Sequence, residues 1–394
     1  MELTKAETAM LSGGEGRAAR KCMEILVALG EIYGAQRMVE ASSVQVSGVS
    51  YKNLGDAGIE FLEELAADGR ARVRTTLNPA GMDLESWRAQ GIGEGFALKQ
   101  LKVIEAYRRL GIEITCTCTP YLAGNVPRMG EHIAWGESSA VVYANSVLGA
   151  RTNREGGPSA LAASLTGRTP LYGYHLDAAR APTLTVDVTA NLASPEDFSA
   201  MGYAVGKAAK SGVPYFRGQG AASLEALKTL SAALASSGGV AMFHMDGVTP
   251  EAAMHAPAAE SMEFGKGDLR EAAAALDDDG EPDFVALGCP HCSIEEVAEV
   301  AEAVEGRRVA KELWVCCSRA VKGQSDSLGY TRVIEASGAK FACDTCMVVA
   351  PVEALGHRVV ATNSAKACHY MRNNGLRVRF WTLRKCVEEA TRAT

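Results

Sequence analysis

Aromatic residues make up only 6% of this 394-residue chain, and no apolar run approaches the roughly 20 residues that a membrane span needs. Lys and Arg number 40 against 47 Asp and Glu, and no long basic run occurs. The resulting net charge of −7 argues against nucleic acid as a main partner. The opening residues, Met1-Glu2-Leu3-Thr4-Lys5, lack the basic-then-apolar pattern of a signal peptide, so the sequence predicts a cytoplasmic protein. Low-complexity linkers and clean repeats are missing. So are a Walker lysine and Rossmann spacing. Gly13-Gly14-Glu15-Gly16 follows no strand-like segment and is read as the start of a helix.

What the chain does have is glycine, 40 residues of it, and a hydrophobic fraction of 47%. That mix suits an α/β enzyme with many tight strand–helix turns, long enough for a large core and several lobes. Arg17 to Ile32 carries an apolar stripe of Ala18, Cys22, Ile25, Leu26 and Leu29 and is predicted helical. Further helices are expected at Ala57–Ala66, Phe96–Leu110 and Ser293–Glu305. The last opens with Ser293 and Glu296 in capping-box spacing. Strand-like segments are Val44–Val46, Ala71–Leu77, Ile112–Cys118, Thr183–Val188, Val240–Phe243, Asp283–Leu287, Leu313–Cys317, Lys340–Ala342, Val359–Val360 and Arg377–Trp381. Such alternation implies parallel or mixed sheets flanked by helices. The charged stretch from Leu276 to Pro282 is read as a solvated turn at a lobe boundary.

Eleven cysteines in a reducing compartment point to metal ligation more than to disulfides. Three groups share one expected position, just beyond a strand: Cys116 and Cys118, Cys289 and Cys292, Cys343 and Cys346. Ligands gather at the carboxyl ends of parallel strands, so thiols far apart in sequence can meet there. Thiolates select iron–sulfur clusters or zinc. Four would saturate a [4Fe–4S] cluster, and three would leave one iron open as a Lewis acid. Spacing alone does not choose one cysteine from each group, and a zinc-stabilised scaffold without catalysis is the rival reading. Cys22, Cys316, Cys317, Cys368 and Cys386 read as small buried hydrophobes.

Polar loops accompany the cysteines. Gly149-Ala150-Arg151-Thr152-Asn153-Arg154-Glu155-Gly156-Gly157 holds two arginines able to grip a carboxylate or phosphate; the bland reading is a solvated loop with its arginines paired to acids. Ser47-Gly48-Val49-Ser50 and Asn78-Pro79 sit beyond strand-like segments and can offer N–H groups to an anion. Ser364 and Lys366 stand at a helix N-terminus, a natural anion site. Capping alone would also explain Ser364. His132 and His291 lie nearest the cysteine segments.

Several segments resemble the aconitase X family. They are Cys118-Thr-Pro-Tyr, Gly130-Glu-His-Ile-Ala-Trp-Gly-Glu-Ser-Ser, Ala144-Asn-Ser-Val-Leu-Gly-Ala-Arg-Thr-Asn-Arg-Glu-Gly-Gly, Gly288-Cys-Pro-His and Asp344-Thr-Cys-Met-Val-Val. The similarity covers nearly all of residues 1–394, as one multi-lobed catalytic subunit. It implies an aconitase-like α/β fold with lobes around a central iron–sulfur site, and a hydro-lyase activity. It also implies a [4Fe–4S] cluster on Cys118, Cys289 and Cys346. Ser47-Gly-Val-Ser-Tyr-Lys and Thr76-Leu-Asn-Pro-Ala-Gly-Met-Asp look most like the archaeal branch that dehydrates (R)-5-phosphomevalonate to trans-anhydromevalonate 5-phosphate, a step of isoprenoid synthesis. The other branch acts on cis-3-hydroxy-L-proline. The resemblance further implies a small swivelling domain with a catalytic serine. The chain ends soon after Trp381, so that domain is expected on a separate small subunit. In this reading Gly48, Val49, Ser50, Asn78, Pro79, Arg151, Asn153, Ser364 and Lys366 are the candidates for holding the substrate's carboxylate or phosphate, and Glu137 or His132 orients the leaving water.

Overall fold

Each run of alternating strands and helices folds onto a sheet of its own. The computed structural model describes residues 1–392. In the first lobe, Ser43–Val46 lies between Arg74–Leu77 and Ala134–Trp135 in a parallel sheet. An antiparallel pair, Met38–Glu40 with Arg168–Pro170, accompanies it. The second lobe holds a parallel sheet in the order His244–Met245, Pro214–Arg217, Leu184–Val188, Ser261–Phe264. The third holds five parallel strands in the order Lys340–Cys343, Glu312–Cys317, Phe284–Leu287, Val359–Thr362, Arg377–Phe380.

That last order places a topological switch in the middle. The chain runs outward from Phe284–Leu287 on one side, then returns to add Val359–Thr362 on the other. The crevice beyond such a switch is where ligands bind in open α/β sheets. Cys289 follows the first of these two strands and Lys366 the second. Phe284–Leu287 is buried along its whole length, as a central parallel strand requires.

Local expectations hold where periodicity is clear. The helix at Arg17–Ile32 has the expected ends, and Cys22 and Leu26 are fully buried on its inner face. The helix Ile294–Val304 begins at Ser293, whose hydroxyl accepts from the Glu296 N–H while Glu296 accepts from the Ser293 N–H. Two strand expectations fail. Ile112–Cys118 lies beside Arg74–Leu77, but only a single bridge, Thr76 with Glu113, forms. Cys116 adopts a left-handed conformation, φ 41°, which takes the chain off the ladder. Thr115 bonds Leu77 through its side chain instead. Val240–Phe243 is likewise not a strand, because its backbone is satisfied by side chains: Asn145 donates to the Ala241 carbonyl and the Phe243 N–H to Ser146. The charged turn is not free in solvent either. Asp277 and Asp278 accept from Arg379 and Arg372 and from the N–H groups of Phe380 and Val378, pinning the turn to the edge strand.

The lobes are joined by buried charge. Arg180, 1% exposed, pairs in bidentate fashion with Glu251 at 2.7 and 2.8 Å and also donates to the carbonyls of Asn145, Ala150 and Tyr174. Lys228 of the helix Leu224–Gly238 is wholly buried and meets Glu296 and the His291 carbonyl of the third lobe. That helix and its neighbour Pro195–Ala209 approach backbone to backbone: a Cβ on Gly238 would lie 1.9 Å from the Gly206 carbonyl oxygen. No helix of the described residues is long and apolar enough to cross a membrane.

Removing one partner of a buried ion pair strands the other charge, at a cost of about 3–5 kcal/mol. Glu251→Gln is therefore expected to lower the unfolding free energy by that amount in a denaturant titration. A loss below about 1 kcal/mol would show that Arg180 does not depend on its partner.

Candidate iron–sulfur site

Backbone geometry decides which cysteine of each group faces inward. Gly288 has φ 94°, and a Cβ there would lie 2.1 Å from the Cys316 carbonyl oxygen, so only glycine lets the turn after Phe284–Leu287 close. Asp344, with φ 61°, reverses the chain after Lys340–Cys343. Its carboxylate accepts from Arg319, which also reaches Asp83, while Asp83 accepts from the Cys343 N–H. As a result Cys118, Cys289 and Cys346 line one cleft of about 390 Å³. The other members of the groups face apolar cores: Cys116 in the first lobe, Cys292 and Cys343 under the third sheet. Of the six, these three are the ones on the cleft wall. All eleven cysteines are buried and unbridged.

Burial pushes the Cys346 thiol up to about 12, with Cys289 nearby adding to the rise. It also drives Cys118 well above the ordinary thiol value, helped by the Glu137 carboxylate and by Cys346 and Cys289. Cys289 is raised by burial too, against the pull of Lys366 and the Ser364 hydroxyl. A metal entering here displaces protons from the thiols. No three His, Cys, Asp or Glu donors among the described residues converge as a single ion requires. The α/β fold and these buried cysteines are consistent with an iron–sulfur cluster.

Glu137 is the one carboxylate on the cleft wall among the described residues. It caps the helix Ser138–Ser146 and accepts from Asn78 Nδ2 at 2.6 Å, from Ser139 Oγ at 3.1 Å and from Lys366 Nζ. Burial works to raise its pKa, but Lys366 and the donors outweigh this and hold it down to about 2. Lys366 is opposed by burial in turn, yet Glu137 and the neighbouring sulfurs keep it firmly charged. Asn78 leaves its Oδ1 buried without a partner, and the residue lines the cleft.

Gly48, Val49, Ser50, Asn78, Pro79, Glu137 and Lys366 all reach the cleft, as expected. Ser50 spends its hydroxyl on the Val349 carbonyl. Four expected residues do not arrive. Arg151 turns away to Asp177 and the His175 carbonyl. Asn153 braces a neighbouring turn through Tyr172 and Tyr174. His132 pairs with His175, Nδ1 to Nδ1 at 3.0 Å. Ser364 caps the helix Ala365–Asn373 through the Ala367 N–H, and its hydroxyl meets the Cys289 thiol without itself lining the cleft.

Other residues take their place. Arg154, the next outward position of the same loop, is exposed and lines the cleft. Lys52, paired with Glu353 at 2.5 Å, lines it as well. Lys366, Tyr370 and Asn374 follow at intervals of four and share one helix face toward the cavity. That spacing was a usable signal. A larger cavity, of about 460 Å³, lies elsewhere. Glu196, Glu225 and Glu295 line it near the starts of helices, where the helix dipole favours acids, and no thiol reaches it.

Sequence models described as the first, second and third domains of aconitase X match residues 1–178, 182–274 and 282–392. A protein of Methanothermobacter thermautotrophicus named phosphomevalonate dehydratase large subunit is 54% identical, over 94% of this chain and 93% of that one. Cis-3-hydroxy-L-proline dehydratase of Pseudomonas aeruginosa is 39% identical, over 98% of this chain and 69% of its own length. The crystal structure of Thermococcus kodakaraensis aconitase X in its holo-form superposes with a TM-score of 0.93 at 46% identity, covering 99% of this chain and 100% of that one.

The Glu137 carboxyl sits below its unfolded value of 4.5, so the stability it contributes is complete above that pH and is lost as pH falls toward about 2. In Lys366→Met the carboxylate is buried without its counter-charge, and its pKa should rise above the unfolded value. Stability measured against pH should then increase on acidification through pH 5, opposite to the parent protein. An unchanged profile would refute the pairing.

Proposed function

The chain belongs to the aconitase X family, and from that premise we propose that it is the large subunit of a hydro-lyase dehydrating (R)-5-phosphomevalonate to trans-anhydromevalonate 5-phosphate. The observation that carries the reading is that Cys118, Cys289 and Cys346, from three separate segments, line one cleft that also offers cations to an anionic substrate. Their thiolates would hold a [4Fe–4S] cluster, which when bound supplies an open iron as a Lewis acid toward the departing hydroxide.

The chain's own residues bind and orient. Arg154 and Lys52, on the cleft wall near its mouth, suit the phosphate or carboxylate of the substrate. Gly48 to Ser50 line the cleft ahead of the single helical turn Tyr51–Leu54, which a break at Gly55 separates from the rest of its helix, and offer backbone N–H groups there. Asn78 is steadied by Glu137, and its unpartnered Oδ1 is free to accept from a substrate hydroxyl. Glu137, kept ionised by Lys366, accepts hydrogen bonds and donates none. It orients the leaving water and does not act as an acid. With that carboxylate committed, the acceptor for the proton next to the substrate carboxylate comes from outside the chain. The relatives' name, large subunit, implies a small subunit, and a serine on its swivelling domain fills this role.

Dehydration of cis-3-hydroxy-L-proline is the second reading. The relatives so named are more distant, 39% and 35% identical, and that substrate carries no phosphate for the rim cations. The complex reconstituted anaerobically with its small subunit should turn over phosphomevalonate and leave hydroxyproline unchanged; the reverse would move the chain to the other branch. Iron and sulfide should be present in a ratio near one to one. Each of Cys118→Ser, Cys289→Ser and Cys346→Ser should lose most of the iron, whereas Cys116→Ser, Cys292→Ser and Cys343→Ser should retain it. Zinc without sulfide would support a scaffold instead. Arg154→Gln removes one charged hydrogen bond, so KM for the phosphorylated substrate should rise about tenfold to hundredfold with kcat little changed. An unaltered KM would remove Arg154 from the binding site.

A further inference from the structure

His291 is completely buried and uses every polar group it has. Its N–H donates to the Cys118 sulfur at 3.2 Å, and its carbonyl accepts from Lys228 Nζ at 3.0 Å. Its ring reaches the Thr345 carbonyl through Nε2 at 2.8 Å and the Thr117 hydroxyl through Nδ1 at 2.9 Å. A carbonyl oxygen can only accept, so Nε2 carries the proton, and Nδ1 offers its lone pair to the Thr117 hydroxyl. Thr117 Oγ1 in turn accepts from the Thr119 N–H and meets the Thr119 hydroxyl, which supplies its own hydrogen to complete a consistent chain of donors.

These contacts connect the three segments that bear the cleft thiols. Thr117 precedes Cys118, Thr345 precedes Cys346, and His291 itself stands two residues after Cys289. Lys228 adds the second lobe. The cleft thiols sit on loops with unusual backbone, at Cys116, Gly288 and Asp344, so their mutual spacing is not set by the sheets. Something between the loops has to set it.

We propose that His291 is the positioning residue that locks the three cysteine loops against one another and so fixes the spacing of Cys118, Cys289 and Cys346. The value of that spacing for a cluster rests on the reading above, but the lock itself does not. Its two ring contacts can be separated. In His291→Gln the side-chain amide still reaches the Thr345 carbonyl and loses Thr117. In His291→Asn the shorter amide keeps Thr117 and loses Thr345. Thr117→Val breaks the Thr117 contact alone, with little change of volume.

The measurement is the alkylation rate of each thiol by iodoacetamide in the metal-free full chain, mapped by peptide mass. Cys118 should react about tenfold faster in His291→Gln and Thr117→Val, and Cys346 about tenfold faster in His291→Asn. Buried Cys368 serves as the control for general unfolding and should stay protected. In the reconstituted complex the same variants should lose iron to a chelator several-fold faster than the parent, with an altered electron paramagnetic resonance spectrum. The proposal fails if the cleft thiols react at the parent rate, or if they rise in step with Cys368 in Thr117→Val. If the alkylation pattern appears but the parent chain binds no iron and sulfide, the cluster reading falls and the lock stands.

Discussion

A lysine buried among thiols is tolerable only beside a carboxylate, and the Lys366–Glu137 pair is that condition here. Glu137 begins a helix of the first lobe and Lys366 lies in the first turn of a helix in the third, so one ion pair spans the gap in which the thiols lie. Each charge opposes the desolvation of the other. Breaking the pair would leave a bare charge in the wall of the cleft. The same contact therefore holds two lobes in register and sets the electrostatic character of the floor, a fixed carboxylate and a fixed ammonium.

How much of this was legible in the sequence depends on whether a local pattern or a tertiary contact decides the structure. The helix at Arg17–Ile32 and the Ser293–Glu296 capping box are local, and both stand where periodicity put them. The helices Pro195–Ala209 and Leu224–Gly238 carry no such stripe. They are rich in Ala, Gly and Ser and buried on most faces, so polar and apolar positions do not alternate in a readable way. The Ile112–Cys118 segment looked like a strand because its side chains are β-formers, and the φ of Cys116 cannot be inferred from its side chain.

At the site, residue types were readable and directions were not. Three cysteine groups pointed to a thiol-lined site, yet members of a group differ by only two or three residues, and a single left-handed residue reverses which thiol turns inward. Arg151 and Arg154 show the same limit. Both sit in one polar loop; the bridge between His132 and Arg151 draws Arg151 toward His175 and Asp177, and Arg154 is left facing the cleft. The aconitase X resemblance rested on long motifs, and those motifs survive as the walls of the cleft even where individual roles within them moved.

The two sides of the cleft differ in how they are built. One side is the third lobe's switch point, where Cys289, Lys366, Tyr370 and Asn374 hang from adjacent strands and a single helix. The other carries Gly48 to Ser50 and Arg154 on turns outside any sheet, with Lys52 and Asn53 in the helical turn that follows. Exchanging a few residues on those turns could retune which acid is gripped while the reacting centre stays untouched. In such an arrangement new substrates are gained by redecorating a doorway, which offers one physical route by which a family with a single core comes to dehydrate both a phosphorylated hydroxy acid and a cyclic amino acid.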